Sequence, residues 1–251
     1  MPKISSLIET TTPNESGQIL GFPPASIDYK TYLAHLANGI GKAKMPPAMS
    51  DLISSLYYPF TPAAIGGGTY AGIEDETNHP GVVRISGQTS TGAVITLGGL
   101  TAVLIGGLEV AEFIVRWKLV LNTVMRLGFF DTVGTGVPVD RVEFVHSAGT
   151  VKGACSNNSA STLTVTAFTP VVNTWYRLRI EVNADASLVT FYIYDCATGA
   201  LMWSDTVSSN IPTAAGRETG FGVLAYKTTA GVVSLLDVDY MQYYIDKELT
   251  R

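Results

Sequence analysis

The chain has 251 residues, of which 46% are hydrophobic and only 15% are charged, and its formal net charge is −5. Charged residues usually make up about 25% of a soluble domain, so the polar surface must consist mainly of Ser, Thr and Asn. The 16 Lys and Arg residues are scattered singly and form no basic stripe, which argues against a nucleic-acid partner. A surface with so few charges suits a protein that neighbouring subunits cover in an assembly.

The N-terminal segment differs in composition from the rest of the chain. Eight of the 12 prolines lie in the first 62 residues, which lack long β-branched runs. The opening MPKISSLIETTTPNESG has no sustained apolar segment behind its lysine, so no secretory signal is predicted. The composition changes near Thr61 and predicts two parts: an N-terminal arm for assembly or docking over residues 1–60 and a β-sandwich over residues 61–251.

Two short amphipathic helices are predicted within the arm. Ser26 or Asp28 caps the first helix, and the second follows the Pro46-Pro47 break and stops at Pro59. Their apolar positions are Tyr29, Tyr32, Leu33, Leu36, Ala37 and Ile40 in the first and Met49, Leu52, Ile53, Leu56 and Tyr57 in the second. Because such short helices form no core of their own, we expect them to pack on the sandwich or on another subunit.

An uncharged stretch follows from Ile85 to Leu108 and has the hydropathy of a membrane span. Its six glycines argue against a helix. Gly98-Gly99 and Gly106-Gly107 separate three β-branched runs, AVITL, LTAVLI and LEVAEFIV, at the spacing of tight hairpins. The stretch therefore predicts consecutive hairpins and no membrane insertion.

Period-two alternation dominates the chain after the arm. WYRLRIEV predicts a half-buried strand that places Tyr176, Leu178, Ile180 and Val182 on one face and Trp175, Arg177, Arg179 and Glu181 on the other. The turn NADA and the alternating LVTFYIY follow, which predicts a hairpin. Further strands are predicted at 81–86, 110–120, 124–130, 140–147, 162–168, 201–206, 220–227 and 232–245. We therefore expect an all-β fold with at least ten antiparallel strands in two sheets.

Five segments occur in an order that resembles a known family. They are HPGVVRIS (79–86), MRLGFFD (125–131), NTWYRLRIEVNADASLVTFYIYD (173–195), SSNIP (208–212) and LLDVDYMQ (235–242). Together they resemble the concanavalin-A-like, laminin-G-like jelly-roll modules of bacteriophage tail fibres, tailspikes and other virion proteins, over roughly residues 61–246. The resemblance implies a two-sheet antiparallel jelly roll and a scaffolding or surface-binding role, without a catalytic mechanism.

These features predict a non-enzymatic virion structural protein of the tail, baseplate or capsid decoration, assembled in the host cytoplasm. Its expected partners are other virion proteins and copies of itself, contacted through the arm. Two alternatives remain: a carbohydrate-binding module that recognises a host-surface glycan, and a jelly-roll polysaccharide hydrolase or lyase.

The sharpest candidates for hydrolytic chemistry are Asp237 and Asp239. Their spacing places both carboxylates on one strand face about 7 Å apart, near the separation used on a glycosidic bond. In the alternative interpretation they face solvent while Leu236, Val238 and Tyr240 fill the core. Jelly-roll glycosidases carry a third carboxylate in an E-x-D-x-E strand, which this sequence lacks, so no catalytic residue is assigned.

The candidates for a lyase are His146 in EFVHS and Tyr226 in LAYK, since a lyase needs a base of this kind. Neither lies in the Q-I-H or Y-K-A-G-x-Y-N pattern of the jelly-roll alginate lyases. The remaining histidines, His35 and His79, form no obvious cluster with His146, and a G-x-S-x-G elbow is missing.

Metal and cofactor sites are not predicted. The D-x-D-x-[DN]-G loop is missing, and ETNHP and DTVGTG are typical of turns. Cys155 and Cys196 fit neither a CxxC motif nor a Cys/His cluster, and whether they pair is left open. Trp117, Trp175 and Trp203 are possible stacking faces for sugar but are more typical of a core, so the binding residues stay unassigned.

Overall fold

The computed structural model describes residues 60–73, 76, 79, 81–88, 90–97, 100–231 and 233–246. Both helices predicted for the arm lie outside these residues. The described part contains fourteen strands and no helix. The strands are β1 (Phe60–Ile65), β2 (Thr69–Gly72), β3 (Val83–Gly87), β4 (Gly92–Leu97), β5 (Glu109–Trp117), β6 (Thr123–Phe130), β7 (Arg141–Ser147), β8 (Thr150–Asn157), β9 (Ala160–Leu163), β10 (Trp175–Val182), β11 (Val189–Asp195), β12 (Leu201–Val207), β13 (Gly220–Lys227) and β14 (Val233–Ile245).

The strands form two antiparallel sheets of seven strands each. Sheet A has the order β1-β4-β13-β6-β7-β8-β9, and sheet B has the order β12-β11-β10-β5-β14-β3-β2. The prediction of an all-β, two-sheet antiparallel sandwich with at least ten strands is confirmed. Among the described residues, no helix has the length and hydropathy to span a membrane.

The hairpin of β10 and β11 follows the predicted alternation. Leu178 pairs with Ile193 and Ile180 with Phe191, and all four side chains are fully buried. The alternate residues Arg177 and Arg179 lie on the outer face of sheet B. Because successive side chains of a strand point to opposite sides, this alternation sets the register of the hairpin.

A single large core fills the space between the sheets. Aromatic rings of the two sheets meet there, with centroids 5.2 Å apart for Phe113 and Phe221 and again for Phe144 and Phe191. Gly153 makes room for the second pair, because a Cβ atom at this position would lie 2.3 Å from the Phe191 ring. The missing side chain of Gly153 thus lets the Phe191 ring fill the space, which keeps the core close-packed.

The prediction of tight glycine hairpins between Ile85 and Leu108 is wrong. β4 belongs to sheet A and pairs with β1 and β13, whereas β5 lies in sheet B between β10 and β14. Within 100–105, Val103 alone forms a bridge, to Thr219. The chain here crosses from one sheet to the other, so each apolar run pairs with a partner distant in sequence.

Two further strand predictions need correction. The predicted strand over 162–168 ends early, since β9 stops at Leu163 and Phe168 forms only an isolated bridge to Val151. β8 was not predicted, because its small residues Gly153 and Ala154 weaken the β-propensity of the segment. Tertiary pairing with β7 overrides that weak local preference.

A β-bulge changes the orientation of side chains within β14. The register with β5 shifts between Val238 and Tyr240. Leu236 and Val238 are buried as predicted, but Tyr240 is 38% exposed and Met241 points into the core instead. The expectation that Tyr240 fills the core is therefore wrong, because an inserted residue reverses the alternation beyond it.

Candidate functional site

The antiparallel register arranges the outward side chains of sheet B in rows across the strands. One row consists of Trp175, Arg116, Asp237 and Arg84. The next, here called the central strip, consists of Leu201, Tyr194, Arg177, Ile114 and Tyr240. A third row holds Tyr192, Arg179, Glu112 and Gln242. Charged and aromatic residues from five strands therefore share one outer face.

The first row is a network of ion pairs around Asp237, whose side chain is fully buried. Arg84 donates to both carboxylate oxygens, from Nε at 2.7 Å and from Nη2 at 2.9 Å. Arg116 donates to Oδ2 from Nε at 3.0 Å and from Nη2 at 2.5 Å. Four hydrogen bonds from two guanidinium groups thus occupy the Asp237 carboxylate.

The same network includes Glu76, which with His79 precedes β3 in the chain. Arg116 makes two further hydrogen bonds, at 2.8 and 2.6 Å, to the Glu76 carboxylate. These bonds keep the pKa of Glu76 below its usual value. His79 stacks on Trp175 at 4.1 Å between ring centroids, and its Nδ1 lies 2.9 Å from Asp239 Oδ2. Glu76 and His79 therefore both bind side chains on the outer face of sheet B.

The two candidate carboxylates do not form an open acid/base pair. Asp237 is buried beneath two arginines, and Asp239, at the β-bulge, contacts His79. The interpretation that both face solvent is wrong for Asp237, because burial and the two guanidinium groups enclose it. A sugar would have to displace an arginine to reach this carboxylate.

The central strip is accessible to solvent at several positions. The exposed fraction is 53% for Leu201, 38% for Tyr240 and 44% for the Arg177 side chain. The Arg177 guanidinium lies 4.4 Å from the centroid of the Tyr194 ring, a cation–π contact. Arg177 thus presents its hydrogen-bond donors among apolar and aromatic neighbours.

Arg179, in the next row, is fully engaged within the protein. It donates to Glu112 at 2.7 Å, to Glu181 at 2.5 Å and to the Tyr244 hydroxyl at 3.3 Å. Burial alone would lower the pKa of Arg179, but the bonds to Glu112 and Glu181 raise it above its ordinary value. Gln242 binds the second oxygen of Glu112 at 2.8 Å. Arg179 therefore stabilises the sheet.

The lyase candidates His146 and Tyr226 lie on opposite faces of sheet A. His146 is buried in the core at 6.3 Å from the Trp117 ring, and burial lowers its pKa to about 4. Tyr226 lies on the outer face and donates from its hydroxyl to the Thr135 carbonyl at 2.9 Å. The sheet separates the two side chains, so they cannot act on one substrate. His35 lies outside the described residues.

A second group of charges is buried on the outer face of sheet A. Arg141 donates to Glu143 Oε1 at 2.9 Å, and Arg126 Nε lies 3.8 Å from the same oxygen. Within the described part, Glu143 Oε2 and Arg126 Nε have no hydrogen-bond partner. Burial raises the pKa of Glu143 to about 7, against the opposing charges of Arg141 and Arg126. The sequence reasoning missed this cluster, since RVEFVHS looks like an ordinary half-exposed strand.

The tryptophans occupy three different environments. Trp117 is fully buried in the core, and Trp175 lies beneath His79 and Arg116. Trp203 packs on the edge of the core and donates from Nε1 to Thr166 Oγ1 at 3.0 Å. The accessible aromatic rings of sheet B therefore belong to tyrosines, which the sequence reasoning did not single out.

Cysteines and turns show ordinary structural chemistry. Cys155 is buried and Cys196 half-buried, both are free thiols, and burial raises the pKa of Cys155 to about 12. In DTVGTG, the Asp131 carboxylate accepts the backbone amides of Val139 and Asp140 at 3.1 and 3.2 Å. In the part of the chain that the structure describes, no group of three or more His, Cys, Asp or Glu residues is placed to hold a metal ion.

The fold is a two-sheet antiparallel β-sandwich, and the outer face of its sheet B carries a buried ion-pair network beside the central strip. The chain belongs to the SO2946-like family, since the model of that family's C-terminal domain matches residues 78–239. No curated protein matches the chain.

Solved structures similar to this one come from proteins of low sequence identity. The protein of unknown function SO2946 from Shewanella oneidensis MR-1 is 18% identical, with a TM-score of 0.62 over 88% of this chain and 95% of that chain. A native glycosidic hydrolase is 10% identical, with a TM-score of 0.51 over 76% and 91%. The Bacillus licheniformis β-glucanase is 13% identical, with a TM-score of 0.49 over 73% and 91%. At these identities the likeness concerns the fold alone.

Proposed function

We propose that this protein is a non-enzymatic structural component of a bacteriophage particle. The sandwich is its rigid body, and residues 1–60 attach it to other virion proteins and to copies of itself. One observation carries the non-enzymatic part: the Asp237 carboxylate is buried and accepts four hydrogen bonds from Arg84 and Arg116. The five segments that resemble phage virion modules support the assignment to a phage particle.

The composition of the open face supports a contact role. Tyr and Arg are enriched in protein interfaces and dominate their binding energy. The central strip combines Arg177, Tyr194 and Tyr240 with the aliphatic Leu201 and Ile114. Such a surface suits a protein neighbour within a particle.

Deletion of residues 1–60 tests the proposal. Particles assembled with the full-length chain, labelled and viewed by electron microscopy, should carry the protein at a defined position. The truncated chain should remain soluble and β-rich but should be missing from purified particles. If the truncated chain is incorporated normally, the sandwich and not residues 1–60 attaches the protein to the particle. Absence of the full-length chain from particles would refute the virion assignment.

Glycan binding is a second candidate, favoured by the exposed rings of Tyr240 and Tyr244 on sheet B. Aromatic rings provide stacking surfaces of the kind that sugars use. Binding of the purified protein to a host-surface polysaccharide, lost in a Tyr240→Ala variant of unchanged melting temperature, would support it. Release of reducing sugar or unsaturated uronate by the wild-type protein would instead demand an enzyme.

A further inference from the structure

Sheet B carries four outward arginines, and three of them are engaged by acceptors. Arg84 and Arg116 bind Asp237, and Arg179 binds Glu112 and Glu181. Arg177, in contrast, makes no hydrogen bond to any residue that the structure describes. Its nearest carboxylate oxygen, in Glu112, is 3.9 Å away, and that carboxylate already accepts bonds from Arg179 and Gln242.

The position of Arg177 is nevertheless well defined. Its guanidinium lies over Tyr194, which in turn stacks on Tyr192 at 6.1 Å between ring centroids with an angle of 24°. A guanidinium held over a ring loses less side-chain entropy when it binds and can still form two parallel hydrogen bonds to a carboxylate. Arg177 is therefore arranged to receive a carboxylate from outside the sandwich.

The neighbours of Arg177 indicate a peptide as the source of that carboxylate. Leu201 and Ile114 offer a sugar neither a stacking ring nor a hydrogen bond, but they can bury the apolar side chains of a peptide. The central strip crosses five strands and is about 19 Å long at a strand spacing of about 4.8 Å. A stable interface between globular surfaces uses about 20–30 residues on each partner, whereas the strip has five, so it fits a short segment rather than a whole domain.

The N-terminal arm has segments of this chemistry. Carboxylates adjoin apolar residues in Ile8-Glu9, in Ile27-Asp28-Tyr29 and in Asp51-Leu52-Ile53. We infer that the central strip receives the arm of a second copy of this chain, with an arm carboxylate bound by Arg177. This inference rests on the proposed role of residues 1–60 in assembly, and it identifies the central strip as the surface of the sandwich that the arm binds.

Charge reversal in the full-length protein tests the inference. Arg177→Glu should raise the dissociation constant for self-association at least tenfold, measured by sedimentation velocity and light scattering. Lys152→Glu is the matched control, because it reverses a charge on β8 of the other sheet, and its constant should stay within threefold of the wild-type value. Equal melting temperatures of both variants and the wild type would exclude misfolding.

The partner carboxylate follows from a rescue experiment. Glu9→Lys, Asp28→Lys or Asp51→Lys is combined with Arg177→Glu, and one combination should restore association to within threefold of wild type. If Arg177→Glu weakens association but no combination restores it, the arm is not the occupant and the inference is wrong.

Deletion of residues 1–60 separates this inference from the proposed function. If the deletion abolishes association while Arg177→Glu leaves it unchanged, the arm binds a surface other than the central strip. That result would refute this inference but not the proposed function. If the wild type stays monomeric at high concentration, the proposal that copies of the chain associate through residues 1–60 is refuted together with this inference. Arg177-dependent binding of the monomer to polygalacturonate would replace the arm with an acidic glycan as occupant.

Discussion

At the scale of single residues, the outer face of sheet B shows how pairing decides the role of a charged group. Asp237 and Arg177 lie in adjacent rows, yet Asp237 has four hydrogen bonds and Arg177 has none within the described residues. The first is a structural group enclosed by opposite charge. The second is available for a partner.

Replacement of Asp237 by Asn therefore tests stability rather than catalysis. Removal of its charge takes from Arg84 the carboxylate that it binds and leaves Arg116 paired with Glu76. Loss of one partner of a buried ion pair costs about 3–5 kcal/mol. Chemical denaturation should show this loss. Asp185→Asn is the control, because Asp185 lies in the exposed NADA turn, and it should leave the melting temperature nearly unchanged. Equal stability of both variants would contradict the ion-pair network.

Glu143 predicts a pH dependence of stability. Its pKa in the folded protein is raised from 4.5 to about 7 by burial, so folding favours the protonated form. The protonated Glu143 therefore adds to the free energy of unfolding below pH 4.5, and this stabilisation is lost as the pH rises towards 7. The size of the pKa shift corresponds to about 3 kcal/mol.

A Glu143→Gln variant isolates this contribution. Between pH 5 and 7, its free energy of unfolding should fall less steeply than that of the wild type, measured by urea denaturation at each pH. Absolute stability will also change, since Arg141 and Arg126 lose a counterion, so the slopes are compared. Parallel slopes would mean that Glu143 is ionised throughout the folded state.

At the scale of elements, the β10–β11 hairpin is held by alternate burial. Leu178 is fully buried and Leu201, on neighbouring β12, is 53% exposed. We expect Leu178→Ala to cost about 2–5 kcal/mol, because it leaves a cavity in a close-packed core. Leu201→Ala changes the same side chain on the open face and should cost far less. Similar melting temperatures for the two variants would contradict the register.

The elements also show where local patterns mislead. Sequence alternation is read correctly in β10 and β11, where each strand keeps one face inward throughout. It fails at β14, because a bulge between Val238 and Tyr240 shifts the register with β5 and reverses the alternation. The spacing of the glycine pairs misleads at β4, because its partners β1 and β13 are distant in sequence.

At the scale of the whole molecule, one core joins both sheets of the described part. Aromatic contacts such as Phe113 with Phe221 and Phe144 with Phe191 cross from one sheet to the other. Neither sheet can lose its partner without exposing this surface to water. The sandwich should therefore unfold as one cooperative unit.

Denaturation followed by two probes tests this expectation. Far-ultraviolet circular dichroism and tryptophan fluorescence should give coincident transitions. The helix content derived from the native far-ultraviolet spectrum should be below about a quarter, since helical spacing is confined to residues 1–60. Separate transitions would show that the sheets are independent. A larger helical content would contradict the all-β body.

The sequence by itself determined the all-β class, the hairpin of β10 and β11, and the inward positions of Leu178 and Phe191. These follow from alternation of apolar and polar residues, which is local information. Which rows the outward residues form was decided only by the tertiary structure. Arg84, Arg116 and Asp237 come from three strands far apart in the chain. Arg179 and Arg177 lie 2.7 and 3.9 Å from the same Glu112 oxygen, so Arg179 makes the hydrogen bond. Such cross-strand competition depends on strand order and register, which no local pattern encodes.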